Sequence, residues 1–193
     1  PASGKSRALM FIGLDKLHNQ SRRKVIVAVP ERSIGASFEN TDLKSSGFFA
    51  DWTVEPRNNL CVGTGDDKSK VAAFVRFMQG DDQILVCTHA TLRFAFEEVN
   101  PSDFNGCVLA IDEFHHVSTS ETSRLGELLH HVMSGSDVQI IAMTGSYFRG
   151  DAIPILSPED EMQFDKVTYT YYEQLNGYTY LKTLGIGYHF YTG

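Results

Sequence analysis

The feature that most constrains this chain is a regular alternation of apolar runs with amphipathic segments. Four runs, KVIVAVP, QILVCT, GCVLAIDE and VQIIAMTGS, have the length and composition of strands buried on both faces. Segments with helical spacing of apolar residues separate them. Because helices connect the strands, the connections are crossovers, which predicts a mostly parallel sheet with helices on both faces. A length of 193 residues is sufficient for one such α/β domain.

Capping residues and glycines predict where the helices begin and end. A first helix, SRALMFIGLDKLHNQ, begins at the Gly-Lys turn near the amino end, and a second begins near Arg32. The segment DDKSKVAAFVRFMQG is typical of a helix capped by Asp66 or Asp67 and ended by Gly80. ATLRFAFEEV and TSRLGELLHHVMSG are further helices, and NLCVG is a candidate for a short additional strand.

The character of the sequence changes after Tyr147. The tail VTYTYYEQLNGYTYLKTLGIGYHFYTG is rich in Tyr, Thr and Gly, and its Asn176-Gly177 pair is typical of a β-hairpin turn. We therefore expect an α/β domain at residues 1–150, followed by a linker and a Tyr-rich β-hairpin extension at residues 151–193. The extension packs on the main sheet or leads toward a further domain.

Charge and cysteine usage narrow the classes of partner and compartment. The chain has 17 basic and 24 acidic residues, a net charge of −7, so any contact with nucleic acid must be local. The basic run Arg22, Arg23 and Lys24 is one candidate, although a solvated helix end explains it more simply. Three cysteines without C-x-x-C spacing argue against a disulfide framework or a zinc knuckle. Without a membrane-length apolar run or a visible signal peptide, we expect a cytoplasmic protein that does not contact membranes.

The amino end, PASGKS, matches the second half of a phosphate-binding loop. The full Walker A pattern is G-x-x-x-x-G-K-[ST], and Gly4, Lys5 and Ser6 supply its last three positions. Such a loop leads into the N-terminus of a helix, whose unpaired N–H groups bind phosphate oxygens. The first predicted helix begins at this Gly-Lys turn, which is where a phosphate loop requires it.

A second motif, LAIDEFHH, places two carboxylates at the end of the third predicted strand. Asp112 has the position of a Walker B aspartate, which holds Mg²⁺ beside the phosphates. Glu113 follows it, where a carboxylate can orient and deprotonate the attacking water. A solvated turn would explain this stretch alone, but a phosphate loop and a Walker B strand in one α/β domain together indicate nucleotide binding and hydrolysis.

The letters from Asp112 to His115 form a D-E-x-H box, and with it the chain resembles the first RecA-like domain of superfamily 2 helicases and translocases. The DExH group and the motor subunits of type I and type III restriction enzymes belong to this superfamily. VAVPERSIGASF is similar to their motif Ia, VCTHATL to motif Ib, and MTGS lies where motif III carries its two hydroxyl residues. The resemblance covers residues 1–150 and implies a RecA-like P-loop fold that lacks its extreme N-terminus.

The resemblance implies a nucleotide site for ATP and Mg²⁺ near the amino end. Lys5 would neutralise the β and γ phosphates, and the loop from Ser3 through Gly4 to Ser6 would hold phosphate oxygens with its backbone N–H groups. The Ser6 hydroxyl and the Asp112 carboxylate would bind Mg²⁺. These roles are expectations that the family pattern supplies for the matching positions.

The resemblance also implies catalytic and nucleic-acid contacts. Glu113 would act on the attacking water, and His115 would connect the nucleotide site to Thr144 and Ser146. Three residues of motifs Ia and Ib would contact the nucleic-acid backbone without reading its sequence: Arg32, Thr88 and Thr91. We expect DNA rather than RNA as the partner, with a nuclease or methyltransferase subunit as a further candidate partner.

The expected function is that of an ATP-dependent motor domain which works with a second RecA-like domain. That second domain and its motif VI arginine finger are not found in the sequence, so the resemblance implies that the chain is the first lobe of a longer motor. Two alternatives stay open. One is a P-loop module that binds ATP as a switch or scaffold, and the other is a P-loop kinase of small molecules, which has no use for a D-E-x-H box.

Overall fold

The computed structural model describes residues 4–62, 65–114, 119–144 and 158–168, with the backbone alone at residues 119–124. Its strands are β1 (Lys24–Val29), β2 (Ile84–Thr88), β3 (Cys107–Ile111) and β4 (Gln139–Ala142). Its α-helices are α1 (Lys5–Asn19), α2 (Arg32–Gly35), α3 (Asp67–Gln79), α4 (His89–Ala95), α5 (Thr119–Gly135) and α6 (Pro158–Glu161). Strands and helices alternate in the predicted order.

The strands form a parallel sheet in the order β2, β1, β3, β4. β1 lies between two neighbours and is buried at all six positions. Because successive side chains point to opposite faces, this burial means that both faces of the sheet are covered. α1 packs on the face that carries Val25, Val27 and Val29, and α4 contacts β1, β2, α3 and α5. The predicted α/β fold is confirmed.

A buried tryptophan closes the face beneath α1. Trp52 has no exposed surface, and its indole N–H donates to the Phe38 carbonyl at 3.0 Å. Its ring lies so near Gly13 that a Cβ added there would be 3.3 Å from Cζ3. Trp52 and Thr41 also exchange two backbone hydrogen bonds, of 2.9 and 3.1 Å. The irregular segment that carries Trp52 is thereby fixed against α1.

The predicted starts of α1 and α3 are confirmed. α1 begins at Lys5, directly after Gly4, whose φ of 76° lies in the left-handed region that glycine tolerates. α3 is capped by Asp66, whose side chain accepts a hydrogen bond from the Ser69 N–H at 2.9 Å, and it ends before Gly80. The α4 helix ends at Ala95 and is shorter than predicted.

The predicted short strand over NLCVG is wrong. The segment makes a single parallel bridge, in which the Leu60 N–H donates to the Val86 carbonyl at 2.8 Å. The Asn59 side chain accepts from the Cys61 N–H, and the Asn59 carbonyl accepts from the Val62 N–H, both at 3.2 Å. These local bonds turn the backbone away from the sheet, because an Asn side chain competes with ladder pairing.

The basic run after α1 is used inside the fold. Lys24 is 2% exposed, and its ammonium donates to the carbonyls of Gly80 and Asp82 at 2.7 Å each. Burial lowers the pKa of this ammonium, although Asp82 opposes the shift. Arg22 forms an ion pair with Asp137 at 3.0 Å. These contacts fasten Lys24 and Arg22 to the segments that precede β2 and β4, whereas Arg23 is exposed.

The chain divides into two compact units, Pro1–Ser157 and Pro158–Gly193. In the second unit, α6 is followed by an ion pair between Lys166 and Glu161 at 3.4 Å. The predicted boundary at residue 150 stays a prediction, and the predicted β-hairpin lies outside the described residues. Among the helices of the described part, none has the length and apolar character that crossing a membrane demands.

Gly35→Val is expected to lower the melting temperature. A Cβ at residue 35 would lie 2.3 Å from the Cβ of Cys61 and 2.7 Å from its Sγ, so the backbone must shift. Overpacking of this kind costs about 1–3 kcal/mol, which corresponds to roughly 2–12 °C for a chain of this size. Thermal unfolding followed by circular dichroism measures the effect. Ser33→Val introduces the same side chain at an exposed position of α2, and equal melting temperatures for the two variants would contradict this packing.

Candidate functional site

The carboxyl ends of the parallel strands share one edge of the sheet. Thr88 is the last residue of β2, Pro30 follows β1, and Asp112 follows β3. Beyond β4, the Met143 N–H donates to the Ile111 carbonyl at 2.8 Å, which keeps the chain at the same edge. Functional side chains of open α/β sheets gather at this edge because the loops there leave a crevice.

An ion pair joins the two sequence motifs at this edge. The Lys5 ammonium, at the first residue of α1, donates to Oε1 of Glu113, one residue past Asp112. The Lys5 and Glu113 side chains are 23% and 21% exposed, so the pair is partly shielded from water. Glu113 has a φ of 49°, a left-handed conformation that costs energy in a residue other than glycine. The fold therefore holds the Glu113 backbone in a defined orientation.

Asp112 is a buried carboxylate beside this ion pair. It is 3% exposed, its N–H donates to the Ala28 carbonyl at 2.9 Å, and its Oδ1 accepts from the Glu113 N–H at 3.0 Å. Burial raises the pKa of Asp112, and the positive charge of Lys5 opposes that shift. A carboxylate whose charge is disfavoured by burial gains from a nearby cation, so its environment fits a divalent metal ion.

The start of α1 offers backbone N–H groups to an anion. The first helical hydrogen bond runs from the Ala8 N–H to the Gly4 carbonyl at 2.9 Å. The N–H groups of the first turn, which includes Lys5 and Ser6, precede this bond and point out of the helix N-terminus. Ser6 is half-buried, next to Lys5. Ser3, which the sequence predicts to belong to the same loop, lies outside the described residues.

Thr144 lies beside the segment that carries the two carboxylates. The Phe114 N–H donates to the Met143 carbonyl at 2.9 Å, so the segment after β3 lies beside the segment after β4. Thr144 follows directly and is half-buried. His115 and Ser146, which the sequence predicts to join Thr144 in connecting the site, lie outside the described residues.

The residues predicted to contact nucleic acid lie at the ends of two neighbouring strands. Arg32 is exposed at the start of α2, just beyond β1, and its Nε–H donates to the Cys61 carbonyl at 3.0 Å. Thr88 caps α4: its Oγ1 accepts from the Thr91 N–H at 3.1 Å and lies 3.0 Å from the Thr91 hydroxyl oxygen. Thr91 is 5% exposed, whereas Thr88 is half-buried and more accessible.

Sequence reasoning missed one residue that touches the candidate site. His89, the first residue of α4, is 9% exposed, and its Nε2 lies 3.0 Å from the Asp112 carbonyl oxygen. Because a carbonyl only accepts, the ring N–H is the donor. The sequence carries only a weak signal for this contact, because the contact depends on which residues of β1 and β3 face each other.

The comparison with known families concerns most of the chain. Residues 1–150 match the family described as DEAD/DEAH box helicase. The chain belongs to the DEAD/DEAH box helicase family. Within this helicase domain, the edge that carries Lys5, Asp112 and Glu113 lies inside the matched range. The predicted resemblance to helicases is thus confirmed for the family as a whole.

One relative among curated proteins supports the same assignment. A protein of Bacillus subtilis (strain 168), described as "Putative ATP-dependent helicase YeeB", is 71% identical to this helicase domain over all 193 residues. The domain covers 32% of the length of that relative. Two-thirds of the relative therefore lies outside the segment that the two proteins share.

Proposed function

We propose that this chain is the ATP-binding and hydrolysing domain of a nucleic-acid helicase or translocase of the DExH type. The observation that carries the proposal is the Lys5–Glu113 ion pair, which forms at the carboxyl edge of the sheet beside the buried Asp112. It joins a glycine-lysine helix start to an acidic strand end, 108 positions apart in the sequence. A phosphate-binding cation, a metal-binding carboxylate and a base for water are the groups that nucleotide hydrolysis requires.

Each of these side chains has a separate task. Bound Mg²⁺ and ATP supply the phosphoryl group and the metal charge that stabilises its transfer. Asp112 and the Ser6 hydroxyl would hold the metal, and the N–H groups of the first turn of α1 would hold phosphate oxygens. Lys5 would pair with the β and γ phosphates in place of Glu113, whose carboxylate would then be available to take a proton from water. His115 would connect the nucleotide site to Thr144 and Ser146.

The proposed partner is a nucleic-acid backbone, with DNA favoured over RNA. Arg32 lies just beyond β1, Thr88 is the last residue of β2, and the Thr91 N–H donates to the Thr88 hydroxyl. Guanidinium and hydroxyl groups are suited to phosphate contacts that do not read sequence. A second RecA-like domain, and a nuclease or methyltransferase subunit as in restriction motors, complete the proposed assembly.

An ATP-dependent switch without motor activity is the second candidate. The observation that favours it is the same ion pair, because Lys5 and Glu113 neutralise each other and can hold the site in an unreactive state. ATP turnover by the protein at its natural full length, with and without DNA, separates the two candidates. Stimulation by DNA supports a motor, and ATP binding with no turnover under any condition supports a switch. A small-molecule kinase would instead be indifferent to DNA and would need a second substrate.

Lys5→Ala is expected to weaken Mg²⁺-ATP binding by roughly 10- to 150-fold. This range corresponds to the loss of one charged hydrogen bond, about 1.5–3 kcal/mol. Isothermal titration calorimetry on the full-length protein measures the affinity. Lys16→Ala, which removes a lysine bonded to Gln20 on the same helix, is the matched control and should bind ATP normally. Equal affinities for the two variants would rule out the phosphate-loop assignment.

A further inference from the structure

The backbone carbonyl of Asp112 accepts no hydrogen bond from the neighbouring strand β1. In a parallel ladder, a residue whose N–H donates to one residue of the neighbouring strand accepts from the residue two positions further along it. The Asp112 N–H donates to the Ala28 carbonyl at 2.9 Å, so its own carbonyl faces residue 30. That residue is Pro30, which has no N–H. The end of β1 therefore leaves a buried acceptor, and buried backbone acceptors are costly when unpaired.

His89 supplies the hydrogen bond that Pro30 cannot. Its Nε2–H donates to the Asp112 carbonyl at 3.0 Å. β2 and β3 are separated by β1 in the sheet, which places them about 9.6 Å apart at the usual strand spacing. His89 follows β2 directly, so its imidazole links the end of β2 to the residue that follows β3.

The hydrogen bond from His89 acts on the peptide that orients Glu113. One side of the Asp112–Glu113 peptide is held by His89 at its carbonyl, and the other by the Asp112 Oδ1, which accepts from the Glu113 N–H at 3.0 Å. With both polar groups held, the plane of this peptide is fixed. The left-handed φ of 49° at Glu113 begins at this held peptide. His89 therefore helps to fix the backbone from which the Glu113 carboxylate extends toward Lys5.

The backbone of His89 belongs to the first turn of α4. Thr88, its neighbour, caps this turn through the Thr91 N–H at 3.1 Å, and the hydroxyl oxygens of the two threonines are 3.0 Å apart. A ligand that moves the Thr88–Thr91 cap moves the backbone of His89 with it. His89 is 9% exposed, so a displacement of its backbone is expected to shift the ring against the Asp112 carbonyl.

We propose that His89 is a positioning residue which transmits nucleic-acid binding at the Thr88–Thr91 cap to the Asp112–Glu113 peptide. The inference rests on the proposed function, in which Glu113 acts on water and Thr88 contacts nucleic acid. The link is the hydrogen bond from the His89 ring to the Asp112 carbonyl, and a substitution at His89 removes it without altering the side chains of the phosphate loop or of the metal-binding residue.

Two amide substitutions test this hydrogen bond. Gln places its amide N–H₂ about where the His Nε2 lies and keeps the donor, whereas the shorter Asn ends near the Nδ1 position and does not reach the carbonyl. His89→Gln and His89→Asn thus carry the same chemical group and differ by one methylene. Leu92→Val loosens the same helix at a fully buried position without removing a hydrogen bond, and it serves as the control for lost packing.

The readout is the ratio of stimulated to unstimulated kcat for ATP, measured on the full-length protein with single-stranded DNA, double-stranded DNA and RNA. His89→Asn is expected to lower this ratio by about 5- to 150-fold, the usual range for coupling between two sites, with no change in KM for ATP. His89→Gln is expected to restore most of it, and Leu92→Val is expected to keep it while lowering Tm. If His89 had only a structural role, its substitution would lower Tm, and the His89→Gln and His89→Asn variants would have the same stimulation ratio.

The outcomes distinguish this inference from the function on which it rests. If no nucleic acid stimulates the wild-type protein, the proposed motor function fails and the coupling fails with it. If the wild type is stimulated and His89→Asn is stimulated equally, the motor function stands and the role of His89 is overturned. If Gln and Asn lower the ratio equally, the hydrogen bond is not the link and the proposal is likewise overturned.

Discussion

The 193-residue chain alone is expected to turn over ATP about 10³ to 10⁵ times more slowly than the full-length protein bound to DNA. Lys5, Ser6, Asp112 and Glu113 supply one wall of the proposed site. In phosphoryl-transfer enzymes an arginine finger from the opposite wall contributes that factor, or roughly 4–7 kcal/mol of transition-state stabilisation. The relative that matches the whole chain is about three times as long, which leaves room for a second lobe.

Steady-state ATPase assays on the chain and on the full-length protein, each with and without single- and double-stranded DNA, measure this difference. Arg149 follows the T-G-S motif in the sequence and is a candidate for this role within the chain; it lies outside the described residues. Arg149→Ala in the chain shows whether this residue contributes. A chain that matches the DNA-stimulated full-length rate would show that one domain contains a complete site, and it would replace the two-lobed motor with a self-contained NTPase.

Glu113→Gln is expected to slow ATP hydrolysis by roughly 10²- to 10⁴-fold, the range for loss of a general base. ATP binding should persist, because the variant keeps the side-chain shape and releases Lys5 from its ion pair. Glu127→Gln, which removes the same charge from an exposed position of α5, is the control and should hydrolyse ATP normally. Single-turnover hydrolysis and calorimetric binding separate the two effects.

Asp112→Asn distinguishes the second carboxylate from the first. It should raise the Mg²⁺ concentration needed for half-maximal turnover, because Asp112 is proposed to hold the metal, while Glu113→Gln should leave that concentration unchanged. Similar small losses of stability with normal turnover in both variants would mean that the pair is a structural turn. The D-E-x-H assignment would then be wrong.

The sequence predicted the sheet because its signals are local. Six consecutive buried positions in β1 and the capping residue Asp66 are visible in short windows, and the structure follows them. The nearness of Lys5 and Asp112 was predictable from their motifs. The prediction for NLCVG was wrong because the Asn59 side chain and carbonyl accept hydrogen bonds from the next residues of the chain. Amino-acid composition does not show whether such local bonds replace strand pairing.

The role of His89 was not predictable for a different reason. Its hydrogen bond compensates for Pro30, and that relation exists only once Asp112 is known to lie in register beyond Ala28. Strand register is a long-range property, set by how the strands pack together. The motifs assigned Lys5 and Glu113 to one site, but they did not predict the direct ion pair between the two side chains, which depends on how the sheet positions them.

Trp52 gives the domain an optical probe of its own. It is the one tryptophan in the sequence, and its fully buried indole lies against Gly13 in the helix that begins at Lys5. Indole emission depends on the polarity and rigidity of its surroundings, so a shift of α1 changes the wavelength or the intensity of the emission maximum. Events at the start of that helix can therefore be followed in real time in the isolated domain, without attaching a dye.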